Sequence, residues 1–364
     1  MSQWYPPPGE PAAGGLQPPP GWSPPPPPGA PPPGYGPPGS PGYGAPLRAA
    51  HKPGAIPLRP LGLSDIYDAA FKIIRFNPKA TVGSAVIVSS VAMLVPILVM
   101  AALSWTVGLS VSGLKAGPNQ PTVSDLAGLV GAYGALALGS ILAGLGMIMV
   151  TGMNAHVALA AATGRKLGLG EAWAATHGKR WRLVGLTALV ALAATVLGAA
   201  FVGVVILLAV TASTATTVIT SIVAGLLLAC LMVWLWIRVS YLAVPPLMLE
   251  PVGVFGAFGR AFRLTRSQFW RTFGIAALTL VVTQIVGGIL QTPITLVGQL
   301  LVVADPHGLG VLGFVVTSAV ASVLASSVVS PFVSTVASLQ YLDQRIRKEA
   351  FDLELMARAG IIAS

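Results

Sequence analysis

The sequence predicts an all-α integral membrane protein. Six transmembrane helices are arranged as three hairpins, each preceded by a cytoplasmic amphipathic interfacial helix, behind a disordered proline-rich N-terminal tail. Three observations carry this prediction. Of 364 residues, 54% are hydrophobic and 9% charged, with mean hydropathy +0.78, whereas a soluble domain carries about a quarter charged residues. Apolar runs recur at the length, roughly 20 residues, that crosses a hydrocarbon core. The basic residues cluster between alternate runs, the distribution expected of charge that sets membrane orientation.

Residues 1–60 hold 22 of the 32 prolines, in runs such as Pro24 to Pro28, interleaved with glycine and with Tyr5, Tyr35 and Tyr43. Such a stretch buries too little apolar surface to offset its chain entropy, so residues 1–57 are expected to form an unfolded cytoplasmic tail of polyproline-II character. It reads as a tether. The alternative, a ligand for a proline-recognising domain, lacks the flanking charges that orient such ligands. The opening MSQWYPPPGE has no basic segment followed by an apolar one, so no cleavable signal peptide is expected and the first span serves as the insertion signal.

Residues 58–345 form the expected membrane domain. Its apolar runs fall at 80–104, 126–150, 183–210, 216–237, 273–297 and 309–339. Between the third and fourth, Thr211 to Thr217 carries no charge, which requires a tight hairpin. The fifth run is interrupted by Gly287, Gly288 and Pro293. Of the 21 basic residues, all but Lys115 lie before the first run, between the second and third, between the fourth and fifth, or after the sixth. The positive-inside rule therefore places both termini in the cytoplasm of an inner (cell) membrane protein, with external loops near 105–125, 211–216 and 298–308. Residues 346–364 are expected to form a C-terminal amphipathic cytoplasmic helix.

A repeat runs through the cytoplasmic segments. The stretches 63–83, 169–185 and 254–274 each pass from an amphipathic pattern through basic and aromatic residues to a glycine that is expected to open the span. Gly83, Gly185 and Gly274 lie 102 and 89 residues apart, the length of one interfacial helix plus one hairpin. In the first copy Asp65, Asp68, Lys72, Arg75 and Lys79 make a polar stripe, and Ile66, Ala70 and Ile73 lie on another face. In the third, Phe255, Phe258, Phe262 and Phe269 share a helical phase. Such helices lie in the interface with bases toward anionic headgroups, which makes Arg260, Arg263, Arg266 and Arg271 candidate lipid contacts. The plainer alternative is that they are anchoring elbows.

Inside the spans no Asp, Glu, Lys or Arg falls near mid-depth, where ion-coupled transporters usually keep an ionisable group. The mid-membrane polar residue is Gln284, expected to bond a neighbouring helix. Small residues recur every fourth position from Ala127 to Ala143 and from Ser318 to Ser338, seams that permit close helix approach. Asn154, His156, Arg238 and Glu250 fall near the cytoplasmic boundary, and the chain between Arg238 and Glu250 is expected to bend at Pro245 and Pro246 so that the two charges pair. The one cysteine, Cys230, excludes an internal disulfide. No nucleophile elbow, phosphate loop or metal-ligand spacing is present, so no catalytic, metal or cofactor residues are assigned. The net charge of +10 is dispersed among apolar runs rather than gathered on one face, which argues against nucleic acid. The expected partners are the lipid bilayer and its anionic headgroups.

The segments RVSYLAVPPLMLE at 238–250, GRAFRLTR at 259–266 and FWRTFG at 269–274 resemble an actinobacterial membrane family, labelled the membrane domain of glycerophosphoryl diester phosphodiesterase. The stretch IPLRPLGLSDI at 56–66, the pair Asn77-Pro78 and YLDQRIRKE at 341–349 with DLEL at 352–355 resemble it too. The likeness covers about 56–357. In phosphodiesterases bearing this region hydrolysis belongs to a separate soluble barrel, and nothing in this chain resembles that barrel, so the resemblance implies membrane embedding without hydrolase activity. The expected function is a non-enzymatic scaffold or lipid-interacting accessory protein of the cell envelope. The alternatives are a transporter or channel for an uncharged or amphiphilic solute, lined by Gln284 and the serine seam, and a membrane enzyme with a cytoplasmic-face site at His156, Arg238 and Glu250.

Overall fold

The computed structural model describes residues 54–57, 59–107, 123–305 and 309–358. The expectations for residues 1–53, for the loops around Lys115 and Pro306, for residues 359–364 and for the side chains of the Ala127 to Ala143 seam lie outside these residues.

Every regular element is helical: α1 (Leu63–Phe76), α2 (Pro78–Val107), α3 (Val123–Ala162), α4 (Leu169–Ala175), α5 (Arg180–Thr211), α6 (Thr214–Leu235), a π-helical turn (Trp236–Ser240), α7 (Val244–Leu249), α8 (Val254–Thr265), α9 (Phe269–Ala304), α10 (Leu309–Glu349) and α11 (Phe351–Arg358). Among the described residues, five stretches are long and apolar enough to cross a membrane: Gly144–Ala162 in α3, α5, α6 with its continuation to Leu249, α9, and Leu312–Glu349 in α10. The apolar part of α2 that is fully described, Pro78–Leu94, is shorter. This is the architecture of a multi-pass membrane protein. The most apolar windows of α5 and α6 bury none of their residues inside the chain, and Leu192, Ile206, Val210, Ile222 and Leu226 point outward. A continuous apolar surface of this extent needs hydrocarbon around it.

Between α5 and α6 the chain turns on Ala212 and Ser213. The Ser213 Oγ caps α6 by accepting from the Thr216 N–H at 3.3 Å, and the Thr217 hydroxyl donates back to Leu208 O at 3.0 Å. The hydroxyls supply the partners that two facing helix ends need. The glycine pair and Pro293 leave α9 unbroken, because intrahelical bonds on either side hold it.

The repeat is visible in register. Gly62, Gly168 and Gly253 are extended N-caps of α1, α4 and α8. In the first two units a carboxylate three residues on accepts from the glycine N–H, Asp65 at 3.0 Å and Glu171 at 2.9 Å. The third unit has Gly256 in that place. The long helices α2, α5 and α9 each begin five residues before the repeated glycine rather than at it. Pro78 starts α2, as its fixed φ favours, and the turns Thr176–Lys179 and Thr265–Gln268, each closed by an i to i+3 bond, start the other two. Identical offsets are then buried: Thr81, Ser84 and Ala85; Leu183, Leu186 and Thr187; Thr272, Ile275 and Ala276. On the amphipathic helices Ile66, Ala70 and Ile73 match Ala257, Ala261 and Leu264. The buried face of α8 is therefore its alanines and leucine, while Phe255 and Phe262 face outward.

One hydrophobic core forms at one end of the long helices. It gathers the starts of α2, α5 and α9, the ends of α3 and α10 and the turn after α6, closed over by α1, α4, α7, α8 and α11. Along their length α2 packs on α3, α5 on α6, and α9 on α10. The described chain packs into this end from residue 54. A Cβ on Gly54 would lie 2.2 Å from Ala161 O, so no other residue fits there. Ala55 N–H bonds the same carbonyl at 2.8 Å, and Ile56 is fully buried. At the other terminus residues 346–349 are the last turn of α10, not the start of a new helix. Ala350, at φ 50°, breaks the chain direction before α11.

Candidate functional site

The core end is roofed by a charged layer built on the last turns of α10. Asp343 is fully buried. Its carboxylate accepts from Leu61 N–H at 2.7 Å, from Arg347 Nε at 3.0 and 3.1 Å and from Arg271 Nη1. Arg271 and Arg347 also donate to Leu61 O at 2.5 and 2.9 Å. Thus one carboxylate and two guanidinium groups bind the incoming chain to α9 and α10, and each buried charge is paired and hydrogen-bonded.

A second node centres on Glu250. Arg260 donates to its Oε1 through Nε at 3.2 Å and Nη2 at 3.1 Å, Tyr341 donates its hydroxyl, and Arg345 lies 3.7 Å away. Arg260 and Arg345 both continue to Glu349. The expected pair of Arg238 with Glu250 is corrected here. The chain does bend at Pro245 and Pro246, which open α7, but it then runs on into α8, whose second turn lays Arg260 over Glu250.

The constellation inferred from sequence is thereby divided. Asn154, fully buried, donates to Ser334 Oγ at 2.5 Å. That bond ties α3 to the serine seam, whose inner members Ser330, Ser334 and Ser338 are buried, so this part of the seam is a packing surface. His156 has Lys179 as its charged neighbour, and its Nε2 is buried without a hydrogen-bond partner among the described residues. Lys179 donates to the carbonyls of Met248 and Glu250 at 2.6 and 3.2 Å, capping the C-terminus of α7 as the helix dipole favours. Burial, and after it the charge of Arg182, lower the Lys179 ammonium below its ordinary value. Lys348 caps α8 in the same way, donating to Arg263 O and Leu264 O at 3.1 and 2.7 Å.

Of the four arginines expected to meet lipid, Arg260 and Arg271 are turned inward onto carboxylates. Arg263 and Arg266 are exposed, as are Arg75, Lys79, Arg165, Lys166 and Arg182. Trp181 and Trp270 occupy the same place, the second residue of α5 and of α9, and are 85% and 78% exposed. Exposed tryptophan beside exposed cations is the composition of a membrane–water interface. Gln284 faces outward on α9 and makes no hydrogen bond among the described residues; its helical phase sets it beside Ile285 on the outer side, while Thr283 faces the bundle.

Arg238 sits in the π-helical turn. Its guanidinium lies 5.7, 5.1 and 5.4 Å from the ring centres of Trp234, Phe262 and Phe269, and Nε and Nη1 are buried without a hydrogen-bond partner among the described residues. It lines a cavity of about 470 Å³ at the elbow between α8 and α9, shared with Arg266, Ser267, Gln268, Trp270 and Arg271. Among the described residues no three His, Cys, Asp or Glu side chains are arranged to hold a metal ion.

Asp343, Tyr341, Arg345, Arg347 and Leu61 belong to the segments that carry the family resemblance but were given no site role from sequence. The i, i+4 pairs Asp343 with Arg347 and Arg345 with Glu349 were the available signal.

Fold and site together define the class: a multi-pass α-helical membrane protein whose spans are gathered at one end under a charged and aromatic cap. No protein-family model, no curated protein and no solved structure matches the chain.

Proposed function

We propose that this chain is a six-span protein of the cell envelope's inner membrane, with its cap and both termini in the cytoplasm, acting as a non-enzymatic scaffold that gathers anionic lipid. The single observation that carries the lipid reading is the ring of exposed bases and tryptophans around the cap, placed at the elbows of three like units. The convergence of six helix ends in one core supports three hairpins, with α2 as the sixth span. The residues behind the resemblance to the phosphodiesterase membrane domain, among them Glu250, Tyr341, Asp343 and Arg345, are the ones that build the cap. Membership of that family as a membrane module is part of this proposal, and within it those residues have architectural work.

The measurement is the lipid shell of the purified protein, reconstituted in a mixture of phosphatidylglycerol and phosphatidylcholine. The anionic lipid should be enriched over the bulk at low salt, and the enrichment should fall at about 1 M salt, where the screening length shrinks to about 3 Å. A shell with the bulk composition at both salts contradicts the reading.

A further inference from the structure

We infer that the elbow between α8 and α9 is a binding site for a phosphate-bearing headgroup, with Arg238 and Arg266 as its principal ligands. The inference deepens the lipid reading by naming one site and one ligand chemistry. It rests first on Arg238. A guanidinium presents five donors in a planar fork and keeps its charge. Here two of its nitrogens are buried without an acceptor among the described residues, and three aromatic rings surround it. The rings favour the cation without neutralising it, and with Nε and Nη1 closed off from solvent the part of the guanidinium that lines the cavity presents its uncompensated charge there, which calls for an anion.

The second observation is the cavity itself. At about 470 Å³ it is large enough for a phosphate with part of its ester, and its wall adds donors of the right kind. Arg266 is exposed at the mouth, Ser267 brings a hydroxyl and Gln268 an amide, and the first turn of α9 has no side-chain cap. Asp343, the partner of the cavity residue Arg271, is not a residue of the cavity and is already taken by Arg271, Arg347 and Leu61 N–H. Lys348 adds further positive charge around Arg238. A π-turn places Arg238 here, and such turns recur where a helix positions a functional side chain. Trp270, at the rim, sets the depth at which headgroups lie.

The ligand chemistry, a phosphate ester or inorganic phosphate, could come from a lipid or from solution, and the test separates the two. Full-length protein is incubated in detergent with phosphatidylglycerol, with phosphatidylcholine, or with inorganic phosphate. Retained lipid is read by native mass spectrometry and stabilisation by thermal melting. Wild type should keep phosphatidylglycerol in preference to phosphatidylcholine. R238Q and R266Q should each lose at least about fivefold in retention, the factor for removing one base near an anionic group, and R358Q, at the exposed end of α11 and not a residue of the cavity, should match wild type. Should R238Q fail to fold, R266Q keeps the test, since its side chain is exposed. Stabilisation by inorganic phosphate alone, lost in R266Q, with no lipid preference, supports the site and overturns the lipid reading. Retention unchanged in R266Q, or lost equally in R358Q, overturns the site and leaves the lipid reading standing. Indifference of the wild type to every probe overturns both.

Discussion

Asp343→Ala should be the most damaging single substitution in the cap, costing about 3–5 kcal/mol, as removal of one partner from a buried ion pair does. The carboxylate is fully buried and binds Arg271, Arg347 and the Leu61 N–H at once. Its loss strands two guanidinium groups and one amide, and frees the chain segment that enters over α9 and α10. Asp343→Asn keeps the shape and can still accept from Leu61 N–H, so its loss should be smaller. Thermal melting in detergent measures both. A shift for Asp343→Ala no larger than that of an exposed substitution such as Arg75→Gln would mean that the node is not closed as described.

Glu250 and Arg260 should show strong coupling in a double-mutant cycle, while Glu250 and Arg238 should not. The Glu250–Arg260 pair is bidentate on one carboxylate oxygen and only about a fifth exposed. Residues in one hydrogen-bonded network couple by about 0.5–3 kcal/mol, and the low exposure places this pair in the upper half of that range. Arg238 shares no partner with Glu250, so Glu250→Gln with Arg238→Gln should add to within about 0.5 kcal/mol. Melting of the four proteins in each cycle gives the coupling. Additivity for Arg260, or coupling of more than about 1 kcal/mol for Arg238, would restore the pairing that the sequence suggested.

The apolar runs, the tight α5–α6 turn and the three amphipathic stretches were legible because hydrophobic length and helical phase are local properties. Ile66, Ala70 and Ile73 could be set on one buried face by spacing alone. Which arginine takes which carboxylate was not legible. Glu250 lies 12 residues after Arg238 and 10 before Arg260, so sequence separation does not choose between them, and the path of α8 decides for Arg260. Likewise Arg271 looked like a headgroup contact as one of four bases in the third amphipathic stretch, but its long side chain reaches Asp343, 72 residues on. The long helices begin at Pro78, Arg180 and Phe269, two to four residues before the apolar runs at 80, 183 and 273, since the turn bonds of Thr176 and Thr265 leave no apolar signature. Gly54 was read as tail because its role is a close backbone approach, which composition does not encode.

The most direct test of the central claim, that the capped ends of all spans lie on the cytoplasmic side, is single-cysteine labelling in a Cys230→Ser background. A membrane-impermeant thiol reagent should label Lys115→Cys and Ala212→Cys in intact cells. Arg165→Cys and Ser267→Cys, on two different elbows of the cap, should react only after the membrane is permeabilised. Labelling of Arg165→Cys or Ser267→Cys in intact cells, or protection of both Lys115→Cys and Ala212→Cys, would contradict it.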